Sequence, residues 1–309
     1  MTGPGEAGQA GRRGAGERSG AGGTPAAVAF LHIGGTPLHV RTEGGGPVVL
    51  LAGGLGSSWF DWDLVVPFLT PYRTVVRFDR PGYGLSGSEP ADRPGPTVVG
   101  EAERIRAVLD GLGLSGPCTV VGHSLAGFHV EAFARLNPER TAGLVLLDGS
   151  VESSPRPRSA PELRDLAART VAGVATALAV PYLLGPTVRR LVARAATVRR
   201  EDLAPRPLVR HCYRTGRVLR AVLRENARYL DVAAELDELR GVVPLPEELP
   251  ITVLAADDGC RTRRTEEWLA RQRGLAALLG ADFRTTAPAG HLLMFDRPDA
   301  VASAILDTR

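Results

Sequence analysis

One serine stands between small residues at the end of an apolar run, in Val120-Val121-Gly122-His123-Ser124-Leu125-Ala126-Gly127. A serine hydroxyl is a weak nucleophile, so chemistry at Ser124 needs a base beside it. It also needs donors for the charge that its attack creates. The G-x-S-x-G pattern supports such chemistry by placing serine on a strained turn between a strand and a helix. Side chains two positions either side of the serine would collide with backbone there. Ala126 stands at the second glycine position and is small enough for the turn.

The base is expected far along the chain. His291 stands in Ala287-Pro288-Ala289-Gly290-His291-Leu292-Leu293-Met294, shortly before Asp296-Arg297-Pro298 opens a last helical stretch. An acid must orient the histidine and stabilise its imidazolium, in the chain order Ser, Asp or Glu, His. The run Ile251–Ala256 ends in Asp257-Asp258-Gly259, and the acid is expected at Asp258, because Asp257 falls early. Asp148, at the end of the preceding strand-like run, is the rival. It reads more readily as a strand-end carboxylate packed on loop amides. Oxyanion donors are expected from the Leu125 amide and from Ala52-Gly53-Gly54-Leu55-Gly56-Ser57-Ser58-Trp59. In that loop Leu55 is the first choice and Gly54 the alternative, since glycines let backbone approach a substrate closely.

These residues require strands and helices that bring them together. Runs at 28–33, 37–41, 48–51, 74–79, 118–121, 143–148, 251–256 and 282–287 read as strands. Helical spacing covers 97–112, the stretch after Ser124 to Leu136, 265–279 and 298–306. The alternation implies an α/β fold: a mostly parallel central sheet flanked by helices. It is interrupted at 151–248, which is strand-poor, helical in propensity and Arg-rich. The expected organisation is a Gly/Ala/Arg-rich disordered tail at 1–24, a core made of 25–150 and 249–309, and an inserted helical cap at 151–248. Thr170 to Val188 carries no charge. Its prolines, Pro181 and Pro186, argue against a membrane span. It is expected to line an apolar pocket, with Arg189-Arg190 and Arg199-Arg200 on its solvent side; contact with a lipid surface is the second reading. Trp59 and Trp62 read equally as pocket wall or core. His123 and His129 read as packing, and Asp79-Arg80-Pro81-Gly82-Tyr83-Gly84 as a structural turn.

The stretches Gly53–Ser58 with Trp62, Asp79–Ser86, Gly122–Gly127 and Gly290-His291 with Asp296-Arg297-Pro298 resemble the α/β-hydrolase fold family. The resemblance runs from the first strand pair to the last helix. Two departures stand out: the usual His-Gly before the oxyanion loop is absent, and the acid motif is short. The resemblance implies a serine esterase-like hydrolase with a Ser124, Asp258, His291 triad. Epoxide hydrolases and haloalkane dehalogenases of this fold need a carboxylate at the elbow, and Ser124 argues against both. The expected reaction is hydrolysis of a small to medium apolar ester. A thioesterase or C–C bond hydrolase is the alternative on the same scaffold, and a non-catalytic binding protein is the alternative of another class.

Composition narrows the partners. The 309 residues carry 37 basic and 34 acidic side chains, for a formal net charge of +3. Every basic residue is arginine, scattered among acids, with no nucleic-acid motif; no nucleic-acid partner is expected. Three cysteines without a C-x-x-C pair point to neither a disulfide scaffold nor zinc. His32, His39 and His211 lack metal-ligand spacing. No cofactor, no metal and no stable membrane insertion are expected, only a small-molecule apolar substrate. No apolar run follows Arg12-Arg13 as an export signal would require, so a cytoplasmic location is expected.

Overall fold

A computed structural model describes residues 24–90 and 93–308. The tail expected at 1–24 lies outside them except for Thr24. Eight strands form one sheet: β1 (Thr24–Ile33), β2 (Thr36–Gly44), β3 (Val48–Ala52), β4 (Thr74–Phe78), β5 (Cys118–His123), β6 (Thr141–Leu147), β7 (Ile251–Ala256) and β8 (Asp282–Thr286). Their order is β1-β2-β4-β3-β5-β6-β7-β8. The hairpin β1–β2 and the β2–β4 pair are antiparallel, and every pair from β4 to β8 is parallel. The sheet is thus the mostly parallel one that the strand–helix alternation implies.

The helices are α1 (Val66–Leu69), α2 (Val98–Gly111), α3 (Ala126–Leu136), α4 (Pro161–Ala177), α5 (Val180–Ala195), α6 (Arg206–Tyr213), α7 (Gly216–Val242), α8 (Arg263–Leu279), α9 (Leu293–Asp296) and α10 (Pro298–Asp307). Local chemistry sets several ends. Thr97 accepts from the Gly100 amide at 3.0 Å to start α2, and Thr262 does the same for Thr265 at the start of α8. Gly280 closes α8 at φ 65°, a left-handed position that suits glycine. On α2, Val98, Ile105, Val108 and Leu109 are all buried, as one apolar face requires.

The sheet divides the core into two. Along β5, Val120 packs with α2, α3 and α7 on one face, and Val121 packs with α9 and α10 on the other. Successive side chains point to opposite faces, so a strand covered on both sides is apolar throughout. Burying each such Val or Leu contributes about 1.5–3 kcal/mol. The result is a rigid β5 whose carboxyl end carries Ser124. Trp59 and Trp62 belong to the second cluster and are core residues. Helices α4 to α7 fill the interval between β6 and β7. Of these, α7 reaches the first cluster through Val232, Ala233, Leu236 and Leu239, while Ala193 of α5 and Val209 and Cys212 of α6 belong to the second.

Candidate active site

Gly122 is the penultimate residue of β5, and a Cβ there would stand 2.5 Å from Val130 Cγ2 and 2.6 Å from the Ala126 carbonyl. Glycine is therefore required for α3 to turn back this tightly. Gly127 has looser surroundings: its nearest neighbour would be Gly149 Cα at 3.6 Å. The small-residue pattern thus matters most before the serine. Ser124 itself has φ 52°, an unfavourable region for a residue with a Cβ. Its backbone is held there by its own amide to Leu147 O, 3.2 Å, and by donations to its carbonyl from Gly127 at 2.9 Å and Ser150 at 3.1 Å.

His291 lies in the bend between β8 and α9. Its Nε2 is 3.0 Å from Ser124 Oγ. Its Nδ1 is 2.6 Å from Asp148 Oδ2. The carboxylate is buried, at 3 % exposure, while the imidazole is 41 % exposed. Asp148 Oδ1 also accepts from the Trp268 indole at 2.7 Å and from the Ala256 amide at 3.0 Å. Both Asp148 oxygens are therefore committed.

The acid expected at Asp258 is the correction that the structure makes. Asp258 Oδ1 accepts from the Cys260 amide at 2.8 Å and the Thr265 hydroxyl at 3.2 Å, and does not hydrogen-bond to His291. Asp257 turns back on the Gly259 amide at 2.9 Å. The reason is strand order. β6 is the immediate neighbour of β5, with Leu147 opposite His123, so Asp148 follows beside Ser124. β7, which leads into Asp257 and Asp258, stands one strand further out.

Three fixtures set the His291 loop. Asp296 accepts from the Gly290 amide at 2.8 Å. The Leu292 amide donates to Ala196 O, just beyond α5, at 2.9 Å. His123 Nε2 donates to His291 O at 2.8 Å, with the two rings 4.7 Å apart. Burial, with a smaller electrostatic contribution from the neighbouring His291 ring, lowers the His123 pKa to about 3, so it stays neutral and keeps its proton for that carbonyl.

Gly54 lies against the nucleophile: a Cβ there would come within 2.9 Å of Ser124 Cβ. Arg80 donates to Gly53 O, and to Gly54 O at 2.9 Å, where the Ser57 amide also donates at 3.1 Å. The Gly54–Leu55 peptide is trans, so fixing the Gly54 carbonyl on Arg80 turns the Leu55 N–H to the opposite side. The amides of Leu55 and Leu125 donate to no acceptor within the described residues. Leu125 stands at the amino end of α3, where free N–H groups favour negative charge. Arg80 is itself locked by Glu225 of α7, at 2.8 and 2.9 Å, and Tyr83 donates to the same carboxylate at 2.9 Å. Sequence reasoning took Arg80 as part of a structural turn and did not single out Trp268. An arginine two residues after β4 was the signal for the first.

An open cleft of about 1250 Å³ reaches His291, Asp148 and Trp268. Its walls combine Ala195, Val198 and Ala289 with arginines, including Arg194 from the last turn of α5, Arg200 from the segment after it and Arg271 from α8. The charge-free stretch expected to line an apolar pocket does otherwise: Leu178, Leu183 and Leu184 are 54–68 % exposed. Arg189, expected on the solvent side, is buried and pairs with Asp61 at 2.6 Å.

Two curated relatives and one solved structure are similar to this chain. A pimeloyl-[acyl-carrier protein] methyl ester esterase from Photobacterium profundum is 36% identical over 121 residues, 39% of this chain and 42% of that protein. RutD from Stutzerimonas stutzeri, provisionally named a carbamate hydrolase, is 34% identical over 124 residues, 40% of this chain and 44% of that protein. The chain spans less than half the length of these curated relatives. Among solved structures, Cfl2 from Burkholderia cenocepacia superposes with a TM-score of 0.71 at 20% identity, covering 95% of this chain and 98% of the other; that likeness concerns the fold. The profile described as the alpha/beta hydrolase family matches residues 48–304, well over half of the sequence, and the chain belongs to that family.

Proposed function

We propose that this protein is a carboxylic ester hydrolase working through a Ser124, His291, Asp148 triad. The observation that carries the reading is the relay from Ser124 Oγ to His291 Nε2, 3.0 Å, and from His291 Nδ1 to Asp148 Oδ2, 2.6 Å. Ser124 Oγ attacks the ester carbonyl carbon while His291 Nε2 takes its proton. The oxyanion sits on the Leu55 and Leu125 amides. Each such donor contributes roughly a hundredfold to a thousandfold in rate. His291 then protonates the departing alcohol. Water, deprotonated by the same nitrogen, releases the acid and restores Ser124. Asp148 holds His291 with Nδ1 protonated, leaving Nε2 free to accept.

The cleft narrows the substrate. Alanines, Val198 and Trp268 on its walls favour an apolar body. The arginines on the same walls favour an ester that also carries a negatively charged or strongly polar end. Carbamate hydrolysis uses the same relay, and the RutD relative favours it as the second reading.

A fluorophosphonate probe tests the mechanism. Wild type is expected to label and Ser124→Ala to lose the label. Labelling that survives in Ser124→Ala removes the nucleophile, and an unlabelled wild type favours a binding protein. p-Nitrophenyl acetate, butyrate and octanoate, run beside a p-nitrophenyl carbamate, then separate ester from carbamate turnover.

A further inference from the structure

The outer faces of α4 and α5 are the reverse of what surface helices of a globular protein present. On α4, Leu163, Leu166, Val171 and Val174 repeat at three- to five-residue spacing and point outward; on α5, Leu184, Val188, Leu191 and Val192 do the same. Leu163, Leu166, Leu178, Leu183, Leu191 and Val192 are each 57–68 % exposed. Exposed apolar surface on this scale marks a partner.

Charge says which partner. Residues 166 to 200 contain six arginines and no aspartate or glutamate. Arg189 is spent on Asp61, and Arg169 on Asp165. Arg190, Arg194 and Arg200 form no ion pair among the described residues, and Arg194 and Arg200 are exposed. An apolar stripe edged by unpaired arginines matches an anionic phospholipid surface, with acyl chains under the leucines and headgroups against the guanidinium groups. A second copy of the chain fits poorly. An isologous contact would set two acid-free arginine rims against each other. No single helix among the described residues is long and apolar enough to cross a membrane, and α4 and α5 meet at 107°. The geometry is that of a hairpin lying in the interface.

We infer that the α4–α5 hairpin docks this protein on anionic bilayers. The patch continues into the cleft that reaches His291, because Arg194, Ala195, Val198 and Arg200 belong to both. A docked molecule therefore presents its cleft at the lipid. If the ester-hydrolase reading holds, amphiphilic esters would enter from the bilayer; the docking itself does not depend on that reading.

Flotation with vesicles tests it, using phosphatidylcholine alone and phosphatidylcholine with 30 mol % phosphatidylglycerol at low salt. The wild type is expected to float with the anionic vesicles and to be released by 0.5 M NaCl. Leu183→Asp/Leu191→Asp should stay in the bottom fraction, while retaining fluorophosphonate labelling at Ser124, which reports an intact fold. Arg190→Gln should lower vesicle partition about fivefold, the equivalent of ~1 kcal/mol per basic residue near such a surface. Absence of wild-type flotation, or equal flotation on neutral vesicles, overturns the proposal. So does a dimer in solution that the double leucine variant dissolves. Failure of labelling with flotation intact removes the hydrolase reading and leaves the docking.

Discussion

Replacing Asp148 with asparagine separates the observed relay from the acid expected on sequence grounds. In the wild type Asp148 Oδ1 is claimed by two donors, Trp268 Nε1 at 2.7 Å and the Ala256 amide at 3.0 Å. An asparagine must keep its carbonyl oxygen there, or leave two donors buried without an acceptor. Its amide nitrogen then takes the place of Oδ2, 2.6 Å from His291 Nδ1. Two N–H groups cannot face each other, so His291 shifts its proton to Nε2. It can then no longer accept from Ser124, and the imidazolium also loses its counter-charge. Loss of the orienting acid with geometry intact costs about 10⁴ in kcat, or roughly 5.5 kcal/mol of barrier. Folding should survive, since the two donors keep their acceptor. Steady-state hydrolysis of p-nitrophenyl butyrate at pH 8 measures the rate, with thermal unfolding as the control. Asp258→Asn keeps an oxygen for Cys260 and Thr265 and should change kcat by less than about twofold, as for a surface substitution. Near-normal activity in Asp148→Asn, together with collapse in Asp258→Asn, would refute the reasoning.

Three further outcomes follow from the same structure. Gly290→Ala puts a methyl group into the Ala196 carbonyl, and this overpacking should cost about 1–3 kcal/mol in urea unfolding and lower kcat as the His291 loop shifts. Glu225→Gln removes the carboxylate from buried Arg80 and should cost about 3–5 kcal/mol, read as a fall in the urea midpoint. Burial lowers the His129 pKa to about 3, so in acid the unfolded chain binds the proton and the folded chain does not. Its contribution is complete above the unfolded value near pH 6.5 and falls by about 2 kcal/mol by pH 5. His129→Gln should therefore reduce the loss of stability between pH 7.5 and 5.0 relative to wild type; an unchanged difference would place His129 in a wetter setting.

The central strands were legible because β3, β4, β5, β6 and β7 are short, largely apolar runs that end beside glycine or aspartate. The elbow was legible because Gly122 and Ser124 answer local demands: a Cβ at 122 strikes Val130, and 124 must turn at positive φ. The acid was not legible in the same way. Asp148 and Asp258 both follow strands in the right chain order, and only lateral strand order decides which of them reaches His291. The orientation of α4 and α5 escaped for a related reason. Leucine spacing says that one face is apolar, but which side the rest of the chain covers depends on how α7 fills the core. Arg80 escaped because its role is exerted on carbonyl groups, which leave no trace in side-chain patterns.

The contact between Gly290 and Ala196 bears on how such enzymes diversify. The segment that shapes the cleft also supplies the carbonyl on which the histidine loop rests. A chimera that grafts a foreign helical segment between Gly149 and Pro250 would therefore exchange more than a selectivity filter. It would remove the stop against which the His291 loop is registered. A graft that preserves this loop must restore a backbone acceptor at the place of residue 196.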